Sequence, residues 1–166
     1  MVYFFEPKLV AAPQSDDRHW RFAYQGLLDL NLRLAIYDTK VHFYFTNPLE
    51  FFEKLSLTYQ VKTVYSHIET GIKVTFDRDL RMKRFFKENN IIWKESPQQG
   101  VKRGRRNRKN WSQEWYAMMS QSVQNPDLRK GKFYTLSKSF ENQLQQEVIP
   151  EAWKATNPMM QKGGES

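Results

Sequence analysis

The sequence predicts an α/β fold in which a parallel sheet has helices on both faces. Short runs of β-branched and aromatic residues, typical of buried strands, alternate with longer stretches that carry apolar residues at helical spacing. Strands separated by helices need crossover connections, so they pair in parallel rather than as hairpins. The 166 residues, 40% hydrophobic and 27% charged, suit a single globular domain with a sizeable core.

The first strand and the first long helix lie near the N-terminus. A strand is predicted at residues 2–5, where Val-Tyr-Phe-Phe is stopped by Glu6-Pro7. A helix follows, because Asp16 and Asp17 offer acceptors for its first backbone N–H groups. Apolar residues then recur at spacings of three and four, which places them on one helical face. They are Trp20, Ala23, Leu27, Leu30 and Leu34.

The second strand is predicted at residues 41–45, and it leads into a helix with a well-marked start. Asn47 is the expected N-cap acceptor, Pro48 takes the first helical position, and Glu50 is placed to bond back to the cap. We expect this helix to run to Tyr59.

Three further elements complete the predicted sheet and its helices. Residues 62–66 predict a third strand, residues 72–89 a helix and residues 91–93 a fourth strand. The order is therefore strand, helix, strand, helix, strand, helix, strand.

A change in composition predicts the domain boundary. Residues 1–119 form the predicted α/β domain, whereas residues 120–166 lose periodicity and gain Gln, Asn, Ser and Lys. We interpret the second segment as a linker that carries one short helix at residues 138–148.

The composition also excludes several classes of protein. Without cysteine, the chain has no disulfide, cysteine-ligated metal or thiol nucleophile, and the cytoplasm is its expected location. No apolar run approaches the roughly 18 residues that cross a bilayer. The N-terminus lacks the features of a signal peptide, so no membrane partner is expected.

The sequence contains no recognisable catalytic motif. His19, His42 and His67 lie in different predicted elements without carboxylates at ligand spacing, so no metal site is expected. His42 alternates with apolar residues in a strand and is interpreted as structural. Neither a nucleophile elbow nor a phosphate-binding glycine loop follows any strand. We assign no catalytic residue and expect no activity from this chain alone.

One short segment holds most of the excess positive charge. The net charge is +8, and residues 102–109 contribute six cations, followed by Trp111 and Trp115. Such a cluster favours an anionic partner such as DNA over an ordinary solvated loop. The cations are Lys102, Arg103, Arg105, Arg106, Arg108 and Lys109.

A ligand pocket is expected at the carboxyl ends of the strands. Ligands of open parallel sheets bind at this edge, where the third strand runs into Ser-His-Ile-Glu-Thr-Gly at residues 66–71. His67 and Glu69 supply two ionisable side chains there, and Gly71 lets backbone approach a ligand. The alternative is an ordinary loop between a strand and a helix.

Several spaced motifs resemble the photolyase and cryptochrome family over nearly the whole chain. Each motif corresponds to a strand end, a helix start or a loop of the family's α/β domain, and they occur in the same order. The matching segments are VYFFEP at 2–7, RHWRF at 18–22 with Gln25, Leu28, Asp29 and Leu30, YSHIETG at 65–71, Arg78-Asp79, Trp93 and Glu95, QGV at 99–101 with Arg103 and Arg108 before Trp111, and QKGGE at 161–165.

This resemblance implies a flavodoxin-like or Rossmann-like sheet with strand order 3-2-1-4-5. The family's first, central strand has no counterpart here, so the four predicted strands correspond to the second to fifth. A gap is then expected between the strand at 2–5 and the strand at 62–66. Residues 161–165 resemble the opening of the family's helical domain, so the chain is expected to be a fragment.

The resemblance also implies a function for the whole protein. The family's helical domain holds FAD, which donates an electron to pyrimidine dimers in DNA under blue light. Its α/β domain can hold an antenna chromophore at the strand ends, which here points to Glu6, His67 and Glu69. Val74 and Thr75 stand where folate-binding members carry an Asn-Glu pair, so the identity of the antenna stays open.

Three alternatives remain open at this point. The whole protein could be a light-signalling cryptochrome without repair activity, because the deciding residues belong to the helical domain. The chain could also be a stand-alone α/β module that binds nucleic acid through residues 102–109. A small-ligand or adenine-nucleotide domain of the same architecture is the third, although the glycine motif of such domains is missing.

Overall fold

A computed structural model of the chain describes residues 1–97, 100, 104, 107–144, 147–156 and 158–164. The chain divides into two compact units, and each is described by itself. The first unit is formed by Met1–Thr58 together with Asp127–Ser166, and the second by Tyr59–Pro126.

The described elements alternate between strands and helices in the first two thirds of the chain, and only helices follow. The strands are β1 (Val2–Phe5), β2 (His42–Phe45), β3 (Thr63–His67) and β4 (Ile92–Ser96). The helices are α1 (Pro7–Val10), α2 (Asp17–Leu34), α3 (Pro48–Thr58), α4 (Lys73–Glu88), α5 (Trp111–Met119), α6 (Lys138–Gln143) and α7 (Glu151–Lys154), with 3₁₀ turns at Ala35–Tyr37 and Leu128–Lys130.

Side-chain caps set the starts of α2 and α3 in the first unit. The Asp16 carboxylate accepts the Arg18 backbone N–H at 2.9 Å and so starts α2 at the predicted position. Asn47 Oδ1 accepts the Leu49 N–H at 3.0 Å at the start of α3. Glu50 does not bond back to this cap; its carboxylate accepts from Lys54 Nζ at 3.0 Å instead.

The first unit contains a parallel pair of strands, β1 and β2, with Phe5 opposite Phe45. Because side chains alternate between faces along a strand, these two phenylalanines share one face of the sheet. They join a buried cluster with Leu27 of α2 and Trp153 of α7. Phe5 and Trp153 are fully buried, and burial of each such side chain is worth about 1.5–3 kcal/mol.

The opposite face of this sheet packs on different helices. Phe4 and Tyr44 lie opposite each other in the register, and both contact Phe51 of α3, with ring centroids 5.0 and 5.1 Å apart. Phe51 also meets Phe140 of α6 edge to face at 5.6 Å. Within this unit, helices therefore lie on both faces of the strand pair.

Part of the segment predicted as a linker packs into the core of the first unit. Phe140, Leu144 and Trp153 are all buried. The predicted helix at 138–148 ends earlier, at Gln143, because Leu144 adopts an extended backbone that turns its side chain into the core. A second short helix, α7, follows and packs against α2.

The second unit contains β3, β4, α4 and α5. The strands pair in parallel, with Tyr65 opposite Lys94. On one face Phe86 of α4, which is 2% exposed, meets Trp93 edge to face at 5.4 Å. On the other face Tyr65 and Ile92 remain exposed, and Lys94 Nζ lies 5.5 Å from the centroid of the Tyr65 ring.

The structure confirms a mixed α/β fold and the parallel pairing within it. The sequence predicted a single sheet, whereas the described strands form two sheets of two strands each. One residue of the predicted apolar stripe also differs, because Leu30 is 41% exposed while Leu27 and Leu34 are buried. A continuous sheet of flavodoxin-like order stays a prediction.

Candidate functional site

The loop between β3 and α4 is organised around Glu69. Glu69 Oε1 accepts the Gly71 backbone N–H at 2.7 Å, and Oε2 lies 4.0 Å from Arg78 Nη2. Arg78 also donates to Asp79 Oδ1 from Nη2 at 2.7 Å and from Nε at 3.0 Å. One guanidinium therefore lies between two carboxylates and connects the loop to the first turns of α4.

Packing holds this loop close to its carboxylate. A Cβ on Gly71 would lie 2.7 Å from Glu69 Oε1, so a larger residue there would displace the end of the Glu69 side chain. Thr75, which is 3% exposed, donates from Oγ1 to the Ile72 carbonyl at 2.8 Å. The position of the Glu69 carboxylate is thus fixed by the protein itself, which gives this residue a structural role in the described chain.

The other two residues predicted at the strand ends lie at different places. His67 is the last residue of β3, opposite Ser96, and is exposed in the second unit. Glu6 belongs to the first unit, follows β1 and is 8% exposed. Its carbonyl accepts the N–H groups of Leu9 and Val10 at 2.9 Å, which starts α1. Burial and, secondly, the charge of Glu6 raise the pKa of Tyr3.

Only part of the basic segment lies among the described residues. Lys102, Arg103, Arg105 and Arg106 lie outside them. Arg108 and Lys109 are exposed, and the Arg108 carbonyl accepts the Trp111 N–H at 3.1 Å just before α5. Trp111 and Trp115 stack at 6.4 Å on one face of α5, as their spacing predicts.

A cluster of three titratable side chains connects β2 to α6. The Tyr44 hydroxyl donates to Glu141 Oε1 at 3.0 Å, and His42 Nδ1 lies 3.5 Å from the same oxygen. Burial, then the Glu141 hydrogen bond and charge, raises the pKa of Tyr44. Burial, then the charge of Lys40, lowers the pKa of His42, while Glu141 acts in the opposite direction.

The sequence could not reveal this cluster. His42 was interpreted as a structural residue, which its contact with Glu141 supports, but Glu141 lies in the segment predicted as a linker. Tyr44 and Glu141 are separated by 97 positions, and no local pattern connects them.

Among the residues described, no three His, Asp or Glu side chains are grouped so that they could hold a metal ion. None of the described helices is both long enough and apolar enough to cross a membrane. No described residue is assigned to the FAD that the resemblance implies.

Comparison with known proteins adds no identity to these observations. No protein-family model matches the chain, and no curated protein matches it in sequence.

Proposed function

We propose that the chain is the α/β part of a flavoprotein of the photolyase and cryptochrome family, whose whole protein uses blue light to repair pyrimidine dimers in DNA. The proposal starts from the ordered motifs between residues 2 and 165, which resemble that family.

The pairing of the strands is the observation that carries the proposal. In a sheet of order 3-2-1-4-5, omission of the first strand leaves strands 2 and 3 as one parallel pair and strands 4 and 5 as another. The described strands pair in the same combinations, β1 with β2 and β3 with β4, and both pairs are parallel. The resemblance predicts these pairs, and the agreement supports the proposal.

The end of the described chain gives a second line of support. In the motif that resembles the start of the helical domain, the Gly163 N–H donates to Gln25 Oε1 of α2 at 3.0 Å. A side chain on Gly163 would collide with the Phe22 carbonyl, and Gly164 has a φ of +105° beside Asp29. Two glycines are therefore needed for the chain to lie against α2 at this point.

Under this proposal the residues of this chain provide support and light harvesting, not electron transfer. The helical domain would hold the FAD, which supplies the photoexcited electron. His67 and Glu69, both of the second unit, would lie at the antenna site. Of these, Glu69 is held in one position by Gly71 and Arg78, so it would offer a fixed acceptor to a chromophore.

The test uses the whole protein encoded by the natural open reading frame that contains this chain. We expect flavin absorbance that bleaches under blue light and light-dependent loss of dimers from irradiated DNA. A dark sample and unirradiated DNA are the controls. Photoreduction without loss of dimers would contradict a repair function and favour signalling. A whole protein that contains no flavin would overturn the family assignment.

A second test concerns the missing strand. The chain extended by its natural upstream codons should gain a strand paired with β1, and its free energy of unfolding should rise because a parallel edge becomes paired. Upstream codons that encode no strand, or an extension that leaves the free energy of unfolding unchanged, would contradict the proposed sheet.

A second candidate function is nucleic-acid binding through residues 102–109. The observation that favours it is the stacked pair of Trp111 and Trp115 directly after Arg108 and Lys109, since bases stack on exposed aromatic rings beside cations. Trp111 is 40% exposed.

Salt dependence tests this candidate on the chain itself. With about six phosphates neutralised, the affinity for DNA should fall about a thousandfold between about 50 and 200 mM salt. The slope of log affinity against log salt concentration reports the number of phosphates neutralised. Replacing Arg108 and Lys109 by Gln should lower that number by about two, whereas the same change at Lys83 and Lys87 of α4 should leave the slope unchanged. Binding that is insensitive to salt would exclude this function.

A further inference from the structure

A cavity of about 510 Å³ lies in the first unit, at the amino ends of the two strands. Met1 precedes β1 and His42 begins β2, and both line the cavity. The sequence predicted a pocket at the carboxyl ends, so this cavity lies at the opposite edge of the sheet. Its other walls are the turn at residues 38–40 and the segment at residues 132–135 that precedes α6.

The charged lining of the cavity is predominantly basic. Lys40 lies on the turn before β2 and Lys132 on the segment before α6, so two elements that are distant in sequence each supply a cation. Asp38 is the acidic residue of the lining. Neither lysine forms an ion pair with a side chain in the described part of the chain.

Two adjacent aromatic residues complete the lining. Phe133 and Tyr134 line the cavity and are 39% and 73% exposed. Large aromatic side chains that remain accessible beside cations are typical of surfaces that bind planar ligands. The cavity therefore offers ring contacts and positive charge to the same ligand.

His42 adds a polar group whose position is fixed. Glu141 contacts its Nδ1 at 3.5 Å, and its ring stacks with that of Tyr44 at 6.4 Å. The pKa of His42 is lowered, chiefly by burial, so the ring is neutral at pH 7 and can donate or accept a hydrogen bond.

We propose that this cavity binds a small aromatic phosphate ester, of which a nucleoside monophosphate is the common biological form. Lys40 and Lys132 contact the phosphate, and Tyr134, the more exposed of the two aromatic residues, stacks on the ring. The volume lies within the roughly 300–1,000 Å³ that is usual for small-molecule sites. The inference does not depend on the proposed function, since the cavity is formed by described residues of the first unit.

Calorimetric titration of the chain with AMP tests the proposal. Adenosine and ribose 5-phosphate serve as half-ligands, and each should bind at least about tenfold more weakly than AMP because each lacks one of the two contacts. Lys40→Gln and Lys132→Gln should each weaken AMP binding by about tenfold and leave the affinity for adenosine unchanged. Tyr134→Ala should weaken AMP and adenosine alike.

The controls separate the site from general charge effects. Lys83→Gln on α4 removes the same charge outside the cavity and should leave AMP affinity unchanged. Circular dichroism of each variant checks the fold, which should persist because the substituted side chains are exposed.

Three results would overturn the proposal. They are an undetectable interaction with AMP at millimolar concentration, an equal loss of affinity in Lys83→Gln, and displacement of AMP by a single-stranded oligonucleotide at equal nucleotide concentration. The last result would identify the occupant as nucleic acid instead of a small ligand.

Discussion

The indole N–H of Trp153 donates a hydrogen bond of 3.0 Å to the Asp17 carboxylate, across 136 positions of sequence. Trp153 is fully buried, and its ring lies 5.1 Å from Phe5 and 6.2 Å from Trp20. A residue near the C-terminus therefore completes the core around the first strand and the start of the first long helix.

Trp153→Ala should lower the free energy of unfolding by about 3–5 kcal/mol, because it empties a buried aromatic site and removes the partner of Asp17. Urea denaturation followed by far-ultraviolet circular dichroism measures the change. Trp111→Ala removes the same side chain from a partly exposed position in the second unit and should cost about 1 kcal/mol or less. Equal losses in the two variants would contradict the assigned core.

Alanine substitutions at two neighbouring glycines, Gly163 and Gly26, should change the stability of the protein in opposite directions. Gly163→Ala should release residues 161–164 from α2, because its Cβ would collide with the Phe22 carbonyl. In Gly26→Ala the new Cβ meets only the Gly164 nitrogen, at 3.7 Å, so helix propensity should stabilise the protein by up to about 1 kcal/mol. Thermal unfolding compares the two, with the Gln25 side-chain amide resonances reporting on the docked turn. If Gly26→Ala destabilised the protein, the turn at residues 163–164 could not lie where the structure has it.

The lowered pKa of His42 makes stability depend on pH. The unfolded chain binds a proton at about pH 6.5, whereas the folded chain binds it only at a lower pH, so stability falls as the pH drops below about 6.5. His42→Gln should show a shallower loss between about pH 7 and pH 5 than the unsubstituted protein. Parallel pH profiles of the free energy of unfolding in the two proteins would contradict this assignment.

The carboxylate of Glu69 should protect one backbone amide. Glu69→Gln keeps an acceptor oxygen for the Gly71 N–H, whereas Glu69→Ala removes it. Hydrogen exchange measured by NMR should therefore show slow exchange at Gly71 in the unsubstituted protein and in Glu69→Gln, and faster exchange in Glu69→Ala. Equal exchange in all three would mean that the loop is held without Glu69.

Local patterns predicted much of the fold. Strand and helix positions follow from runs of β-branched and aromatic residues and from apolar spacing. The starts of α2 and α3 follow from Asp16 and Asn47, whose side chains cap helices within a few residues of themselves. Both partners of each cap lie within a few positions of each other, so a local sequence pattern is enough to predict the interaction.

Contacts between distant segments could not be predicted in the same way. The polar composition of residues 120–166 indicated a linker, yet Phe140 and Trp153 are buried against helices more than 80 positions earlier. A few apolar residues within a polar segment carry no periodic pattern. Tertiary packing alone determines which of them enter the core.

The sequence predicted individual residues of the candidate site better than it predicted the contacts between them. The loop at residues 66–71 indicated Glu69 as an ionisable group beside a glycine, but not that Gly71 and Arg78 hold it in place. The cavity beside His42 was not predicted, because Lys40 and Lys132 are 92 positions apart and no local pattern connects them.

The contact between Trp153 and Asp17 also has a consequence during synthesis. At about 5–20 residues per second, the ribosome needs roughly 5–20 s to add the approximately 95 residues from Thr58 to Trp153. Throughout that interval Phe5 and the apolar face of α2 lack the ring that covers them. The second unit, whose residues are contiguous, is released complete before the first. Chaperones that bind exposed aromatic surface therefore have a defined period in which to act on the nascent chain.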